Sequence, residues 1–460
     1  FGSSNPRFKK GFWMHGTMSG EPTAKRQKIH GNASGIRASF LERFFAKYEF
    51  TCKHMLSCSD SESWAMKEVL EAADKECKVL WENASLGYTE SLGDPMLLQA
   101  IWSHYRERAK RELQRRGVAE VAEKYGDQDA IRITTCVPVE GIYVSMLQLL
   151  DAGDHVICLA PAYQALYEIA RSKGCIIHKW KPRYDESKNF WEFNLDDLKQ
   201  LLKQFSPSAG SDRNVLKMMI VNSPHNPTGA CFSQSQFDDM ADLLIRLDQD
   251  APPIFFSDEM YSDILPSKPS NVGKKNSIVL SGLSKPWGMP GLRVGWLIVE
   301  NPCHFEAIAA FRDYTTLCLP PQSEILGIIA LRNSERFLQR NREISKRNYD
   351  ILQAFLMRNE KWFCSLNQHQ HNAALSGDEY LGVTLFSRLK PLGGANGNGT
   401  PDHLMSVPKL VEHLAQEHSI CLVAGDFFEF ADFPCVRFGI GRRSFEDALK
   451  HLEEALASMR

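Results

Sequence analysis

The chain has 460 residues, of which 43% are hydrophobic, 24% charged and 10% aromatic, with 54 Lys and Arg against 56 Asp and Glu. That balance excludes disorder along the whole chain, and a net charge of −2 leaves no global basic field for a polyphosphate, so nucleic acid is not expected as a main partner. A run of about 18 uncharged apolar residues is absent, so neither a membrane-spanning helix nor a membrane partner is expected.

Single cores stop growing near about 250 to 300 residues, so two domains are expected. The twelve cysteines are scattered, without C-x-x-C or paired Cys/His spacing. This is the pattern of small core residues in a reducing, cytoplasmic setting, and it argues against a disulfide scaffold or a metal site. The N-terminus lacks the apolar core of a signal peptide; organelle targeting stays open.

Residues 1–35 are polar and aperiodic and read as a flexible extension, with Lys25, Arg26 and Lys28 as a solvated charge run. Met66, Val69, Leu70, Ala73, Cys77 and Leu80 fall at the spacing of one helical stripe. Asp94-Pro95 opens a further helix, with an N-cap and a first-turn proline, and turns Leu97, Ile101 and Tyr105 inward. Short apolar runs then recur at 154–160, 216–221, 253–256, 277–280 and 292–298, with helical stretches such as 240–247 between them. Continuous apolar strands alternating with helices predict an α/β fold with a mostly parallel central sheet, sandwiched by helices. After Pro320 a long helical stretch runs to about Arg358, followed by mixed strand and helix, and 392–400 reads as a flexible loop. The expected organisation is a large domain over 86–325 and a smaller α+β domain from 36–85 plus 326–460.

Polar residues follow the predicted strands, where open α/β sheets place ligands. In Ser281-Gly-Leu-Ser-Lys-Pro-Trp-Gly-Met-Pro-Gly-Leu-Arg293, Lys285 stands at the end of a buried strand. Desolvation lowers a lysine's pKa towards that of a usable nucleophile, and Arg293 suits a bound phosphate or carboxylate. In Val221-Asn-Ser-Pro-His-Asn-Pro-Thr-Gly229, two prolines and a glycine make a rigid turn that fixes the amide of Asn226. In Phe256-Ser-Asp-Glu-Met-Tyr261, Asp258 ends a buried strand and needs a cationic partner or strong donors, and Tyr261 stands ready to share its ligand. An amine, a buried carboxylate, two donors and a cation are together what pyridoxal phosphate requires.

From about Gly87 to Arg437 the chain resembles the fold-type I, class I/II aminotransferases, in the order Asn-Pro-x-Gly, Asp-x-x-Tyr, then Ser-Lys followed by Arg. The resemblance implies that Lys285 forms the internal aldimine and shuttles the Cα proton, while Asp258 pairs with the pyridine nitrogen. Asn226 and Tyr261 would donate to the ring oxygen, and Ser284 and Arg293 would lie near the phosphate. Tyr163 of Ala160-Pro-Ala-Tyr163 fits the aromatic that stacks on the ring, and Arg437 fits the arginine that grips the substrate α-carboxylate. Tyr88 fits the tyrosine lent to a neighbouring subunit's phosphate, which implies a homodimer with shared active sites. The pattern departs from the family's at Gly282, where a serine is frequent, and at Pro138, which has no N–H in the phosphate-cradling segment Cys136–Gly141. The Val139 amide is expected to donate there, with Thr134, Thr135 or Tyr88 compensating.

The expected activity is transfer of an amino group between an L-amino acid and a 2-oxo acid. The alternative is a lyase, cyclase or oxidase acting on an amino acid such as arginine, since Ser85-Leu-Gly-Tyr-Thr-Glu-Ser-x-Gly93 resembles relatives that act on arginine without transaminating it. A ligand-sensing domain of a transcription regulator is disfavoured, because the residues before Ile36 are too few and too aperiodic for a DNA-binding domain.

Overall fold

Short apolar runs punctuated by turn residues build the central sheet. The structure is a computed structural model and describes residues 35–115, 132–205, 215–265, 269–367, 382–390 and 406–459. In chain order the strands are β1 (Arg132–Cys136), β2 (His155–Leu159), β3 (Ile176–Trp180), β4 (Leu216–Asn222), β5 (Ile254–Asp258), β6 (Ser277–Gly282) and β7 (Gly295–Val299). They pair in the order β1-β7-β6-β5-β4-β2-β3. β7 runs antiparallel to β1 and β6, and the remaining pairs are parallel. The five apolar runs all form strands, and the sheet is mostly parallel as expected. Two strands were not predicted: β1 and β3 form the sheet's two edges, where Arg132, Thr134, His178 and Lys179 interrupt the apolar pattern.

Alternate residues leave the sheet on opposite faces, and both faces are covered. On β4, Met218 and Ile220 enter one core while Leu216, Met219 and Val221 enter another; β5 likewise separates Ile254 and Phe256 from Phe255. Four helices bear on the site: α1 (Phe40–Tyr48), α2 (Pro95–Arg115), α3 (Pro138–Leu149) and α4 (Pro302–Arg312). Asp94 caps α2, its Oδ1 accepting from the amides of Met96 at 2.7 Å and Leu97 at 3.2 Å, a bond type that stabilises a helix by about 1 kcal/mol. Leu97, Ile101 and Tyr105 are buried, as predicted.

Two helical expectations need correction. The stripe over 66–80 is not one helix but two, Met66–Leu70 and Lys75–Glu82, because Asp74 accepts from the Cys77 amide at 2.8 Å and starts the second. The stretch after Pro320 divides into Pro321–Arg332 and Ser334–Arg358. At the break, Asn333 closes the first helix through its side chain, with Nδ2 donating to Ile329 O at 2.8 Å.

A second, antiparallel sheet joins Thr384–Arg388, Cys435–Gly439 and Val423–Ala424. Its core takes in α1 and the helices Ser334–Arg358, Val407–Glu417 and Phe445–Ser458. Residues from Ile36 onward form one compact unit. Its division into 86–325 and 36–85 plus 326–460 is a proposal, supported by that separate core. The extension before Gly35, with its basic run, and the loop 392–400 lie outside the described residues. All twelve cysteines are free thiols. Among the described residues no helix is long and apolar enough to cross a membrane, and no cluster of metal-ligating side chains occurs.

Candidate active site

β4, β5 and β6 end side by side, and their carboxyl ends bring the polar residues together. β5 ends in Asp258, buried, with its Oδ1 accepting from the Met260 amide at 3.1 Å. Burial pushes this carboxyl up to about 7, against the opposing pull of the Met260 amide and Lys285. β4 ends in Asn222, whose Nδ2 donates to Asp258 O at 3.1 Å while its Oδ1 accepts from the Asn226 amide at 2.8 Å. The turn beyond β4 is thereby pinned over the strand ends. Gly229 closes it at a φ of +75°, a conformation that favours glycine. Asn226 Oδ1 accepts from Arg437 Nη1 at 3.0 Å, which fixes the amide oxygen on the arginine and frees the nitrogen to donate elsewhere.

Arg437 sits on the central strand of the second sheet and is fully buried. Its Nη2 donates to Ser57 O at 2.6 Å, and its Nε has no partner. Burial pulls the guanidinium below its ordinary value, partly offset by Tyr261, the thiols of Cys58 and Cys421, and Glu42. Beyond β6, Lys285 is half-buried; its Nζ donates to Ser59 Oγ at 2.9 Å and lies 6.0 Å from the centroid of the buried Tyr261 ring. The neighbouring Ser284 Oγ is buried without a partner. Tyr163 donates its phenol to Glu42 Oε1 at 3.1 Å, and burial together with that carboxylate raises its pKa.

The other predicted residues lie at the rim. Arg293 adopts a φ of +58°, is exposed, and donates through Nη1 to Pro290 O at 3.1 Å. Tyr88 is 88% exposed on the loop before α2. Pro138 and Val139 begin α3, and Val139 is 40% exposed, with its amide in the first turn, where a helix leaves N–H groups unpaired. The Val137 amide is taken by Glu140 Oε2 at 3.1 Å. Burial pushes the Glu140 carboxyl up, but bonds from Thr315, Thr316 and the Val137 amide outweigh it and hold the pKa low.

Thr134 and Thr135, expected to compensate, each already have a partner. Consecutive strand residues face opposite ways, and each hydroxyl is captured on its own side. Thr134 Oγ1 accepts from Arg312 Nη1 at 2.7 Å, and Thr135 Oγ1 donates to Leu92 O at 3.4 Å. The two departures at Gly282 and Pro138 are one packing solution. A Cβ at Gly282 would lie 2.8 Å from Val294 O, 2.9 Å from Gly295 Cα and 3.3 Å from Pro138 Cγ. A Cβ at Gly295 would meet the same proline ring at 2.7 Å. The proline therefore rests on two glycines, and a serine at 282 has no room.

Sequence reasoning missed Ser59, Glu42 and the role of Asn222. Ser59 carries no motif and reaches Lys285 across 226 positions of chain; Asn222 was visible as the residue before the Ser-Pro turn.

Residues 58–452 match the family described as aminotransferase class I and II. The chain belongs to this family. Capreomycidine synthase of Streptomyces vinaceus is 27% identical over 330 residues, 71% of this chain and 74% of that protein. Among solved structures, a PLP-dependent aminotransferase from Streptococcus suis superposes with a TM-score of 0.71 at 21% identity, covering 92% of this chain and 97% of its own. The PLP-dependent cyclase OrfR superposes at 0.73 and 20% identity, covering 94% and 100%. The fold is that of the fold-type I enzymes, and the cofactor of this class I/II aminotransferase-family member is pyridoxal phosphate.

The residues present fit that group. A carboxyl buried without full compensation at Asp258 calls for a cation, as a pyridinium provides, and the orphaned Ser284 hydroxyl and the first-turn amide of α3 are donors left for a phosphate.

Proposed function

We propose that the protein is an aminotransferase that moves an amino group between an L-amino acid and a 2-oxo acid. The observation that carries this reading is the meeting of the Lys285 amine, the buried Asp258 carboxyl and the Arg437 guanidinium, which keeps one nitrogen unpartnered. Lys285 would carry the cofactor and afterwards move the proton at the substrate Cα. Asp258 would hold the pyridine nitrogen protonated, Asn226 Nδ2 and the Tyr261 phenol would donate to the ring oxygen, and Tyr163 would stack on the ring. Ser284, Arg293 and the Val139 amide would hold the phosphate, joined by Tyr88 from a second copy in a homodimer. Arg437, with Asn226 aligned beside it, would bind the substrate α-carboxylate. When bound, pyridoxal phosphate supplies the electron sink for the carbanion at Cα.

Borohydride reduction of the cofactor-loaded protein, followed by peptide mapping, is expected to label Lys285; a label elsewhere, or none, overturns the assignment. Transamination itself is read from the cofactor's absorbance. An amino acid should bleach the aldehyde form and a 2-oxo acid should restore it, with a new amino acid formed.

A second reading, a cyclase, lyase or oxidase that does not transaminate, is favoured by α1. Glu42 and Phe45 share one face of it, at i and i+3, and Glu49 follows just past its end. Glu42 accepts from Tyr163, and Phe45 lies 6.0 Å from the Arg437 guanidinium. Glu49 is raised by burial and by the like charges of Asp60 and Glu42, with Arg442 and Lys285 opposing. Two carboxylates on this wall suit a substrate with a cationic side chain, such as arginine. On this reading arginine perturbs the absorbance more strongly than neutral amino acids, and no 2-oxo acid restores it.

A further inference from the structure

Behind Asp258, Tyr261 and Lys285 lies a buried polar layer that none of the roles above uses. α2 presents His104 and Arg108, four residues apart and therefore on one face, and both are under a tenth exposed. Arg108 Nη2 lies 3.6 Å from Glu259 Oε2 and donates to Pro269 O at 2.7 Å. His104 Nε2 lies 2.9 Å from Asp263 Oδ1, and Asp263 Oδ2 accepts from Trp287 Nε1 at 3.1 Å. The His104 and Trp287 rings are 5.5 Å apart, and Trp287 is fully buried. Asp263 O also accepts from Arg342 Nη2 at 2.9 Å.

The place of this carboxylate in the chain gives it consequence. Asp263 stands two residues after Tyr261, in the turn Ser262–Ile264, and Trp287 stands two residues after Lys285. One buried side chain therefore ties the segment bearing Tyr261 to the segment bearing Lys285, and ties both to α2. The Lys285 segment is held from outside by other bonds: Ser61 N to Lys285 O at 3.1 Å, and Asn341 Nδ2 to Pro286 O at 2.8 Å. Between the two segments, Asp263 adds a side-chain link beyond the strand-end bonds from Glu259 N to Leu280 O at 2.8 Å and from Ser281 Oγ to Glu259 O at 3.4 Å. Burying a carboxylate is unfavourable unless its bonds compensate for lost water, and a well-packed apolar residue fills such space more readily.

We infer that Asp263 is a positioning residue which, through Trp287, sets the seat of the Lys285 amine relative to Tyr261. The inference rests on the proposed role of Lys285 as the amine that carries the cofactor. The test compares Asp263→Leu, which removes the acceptor for Trp287, with Trp287→Phe and the double variant, each loaded with pyridoxal phosphate. Three readouts are taken: the pH midpoint of the bound cofactor's absorbance change, its circular dichroism, and the split between kcat and KM. Misplacing a reacting group by even 1 Å costs up to about a hundredfold, so each single variant is expected to lose roughly tenfold or more in kcat with little change in KM. The absorbance midpoint should move in the same direction in both variants, and the double variant should be no worse than the poorer single one, because one bond carries both effects. Unchanged absorbance and dichroism with only a lowered melting temperature would make Asp263 a purely structural acid, and effects that add in the double variant would rule out the Trp287 route. If Asp263→Leu fails to fold, Trp287→Phe alone decides between these outcomes, since it removes the N–H and leaves the carboxylate with His104. Borohydride mapping of the wild type separates the two claims: a label away from Lys285 removes the underlying role, whereas a label on Lys285 with unperturbed variants removes only the inference.

Discussion

Asp258→Asn is expected to lower turnover by about a thousandfold or more, while the chain still folds and retains cofactor. The carboxylate is buried at the end of β5, and on the proposed assignment it would supply the negative charge that keeps a pyridinium protonated. An amide is nearly isosteric but carries no charge, so the electron-withdrawing power of the ring falls while its binding pocket persists. Near-normal turnover in the variant would reduce Asp258 to a structural acid. The same substitution has the opposite effect on the stability of the cofactor-free protein. Burial raises this carboxyl to about 7, so the stabilising contribution of its protonated form is complete below its ordinary value and is lost as pH rises through about 7. At about 1.4 kcal/mol per pH unit, this is on the order of 4 kcal/mol. Cofactor-free wild type should therefore lose stability relative to cofactor-free Asp258→Asn between pH of about 4 and above 7, and saturating cofactor should abolish the difference. Melting curves of the four samples across that range check it. Glu324, which burial also raises to about 7, is common to both proteins and cancels in the comparison.

Mixing Lys285→Ala protein with Tyr88→Ala protein is expected to restore activity that neither has alone under limiting cofactor. In a two-fold symmetric dimer, each mixed pair contains one site with both defects and one with neither. Random pairing of equal amounts should therefore return about a quarter of wild-type activity. Tyr88→Ala by itself should weaken cofactor retention by roughly tenfold to a hundredfold, since one phenol bond to a charged phosphate is worth about 1.5 to 3 kcal/mol. The upper end is expected, because Pro138 contributes no amide, Gly282 leaves no room for a hydroxyl, and Thr134 and Thr135 are already engaged. A mixture that stays inactive while subunit exchange is demonstrated would rule out shared sites, as would sedimentation of the active enzyme as a monomer.

Much of the fold was legible in the apolar runs. β2, β4, β5, β6 and β7 are buried on both faces, so the solvent-hating pattern is written directly in the chain. β1 and β3 were not read, because edge strands tolerate the threonines, histidine and lysine that hide the pattern. Helix breaks at Asp74 and Asn333 were also missed. Each depends on a side chain choosing a nearby backbone group, Cys77 N in one case and Ile329 O in the other, a choice that periodicity does not register.

For the candidate site, the proposed chemical parts were legible locally: Asp258 at the end of a strand, Asn226 in its turn, Tyr261, Ser284 and Lys285, each encoded in a stretch of fewer than ten residues. Local spacing is enough for these, because the end of a buried strand places its next residues at the sheet's carboxyl edge whatever the rest of the chain does. The tertiary structure alone decided how those parts are held. It brought Ser59 to Lys285, Glu42 to Tyr163, and Arg437 to both Asn226 and Ser57, and it coupled Gly282 to Pro138 through one proline ring. It also set His104 and Trp287 on Asp263. These contacts join positions that are distant in the chain. Their existence depends on which surfaces the folded core presses together, and no local pattern of residues carries that information.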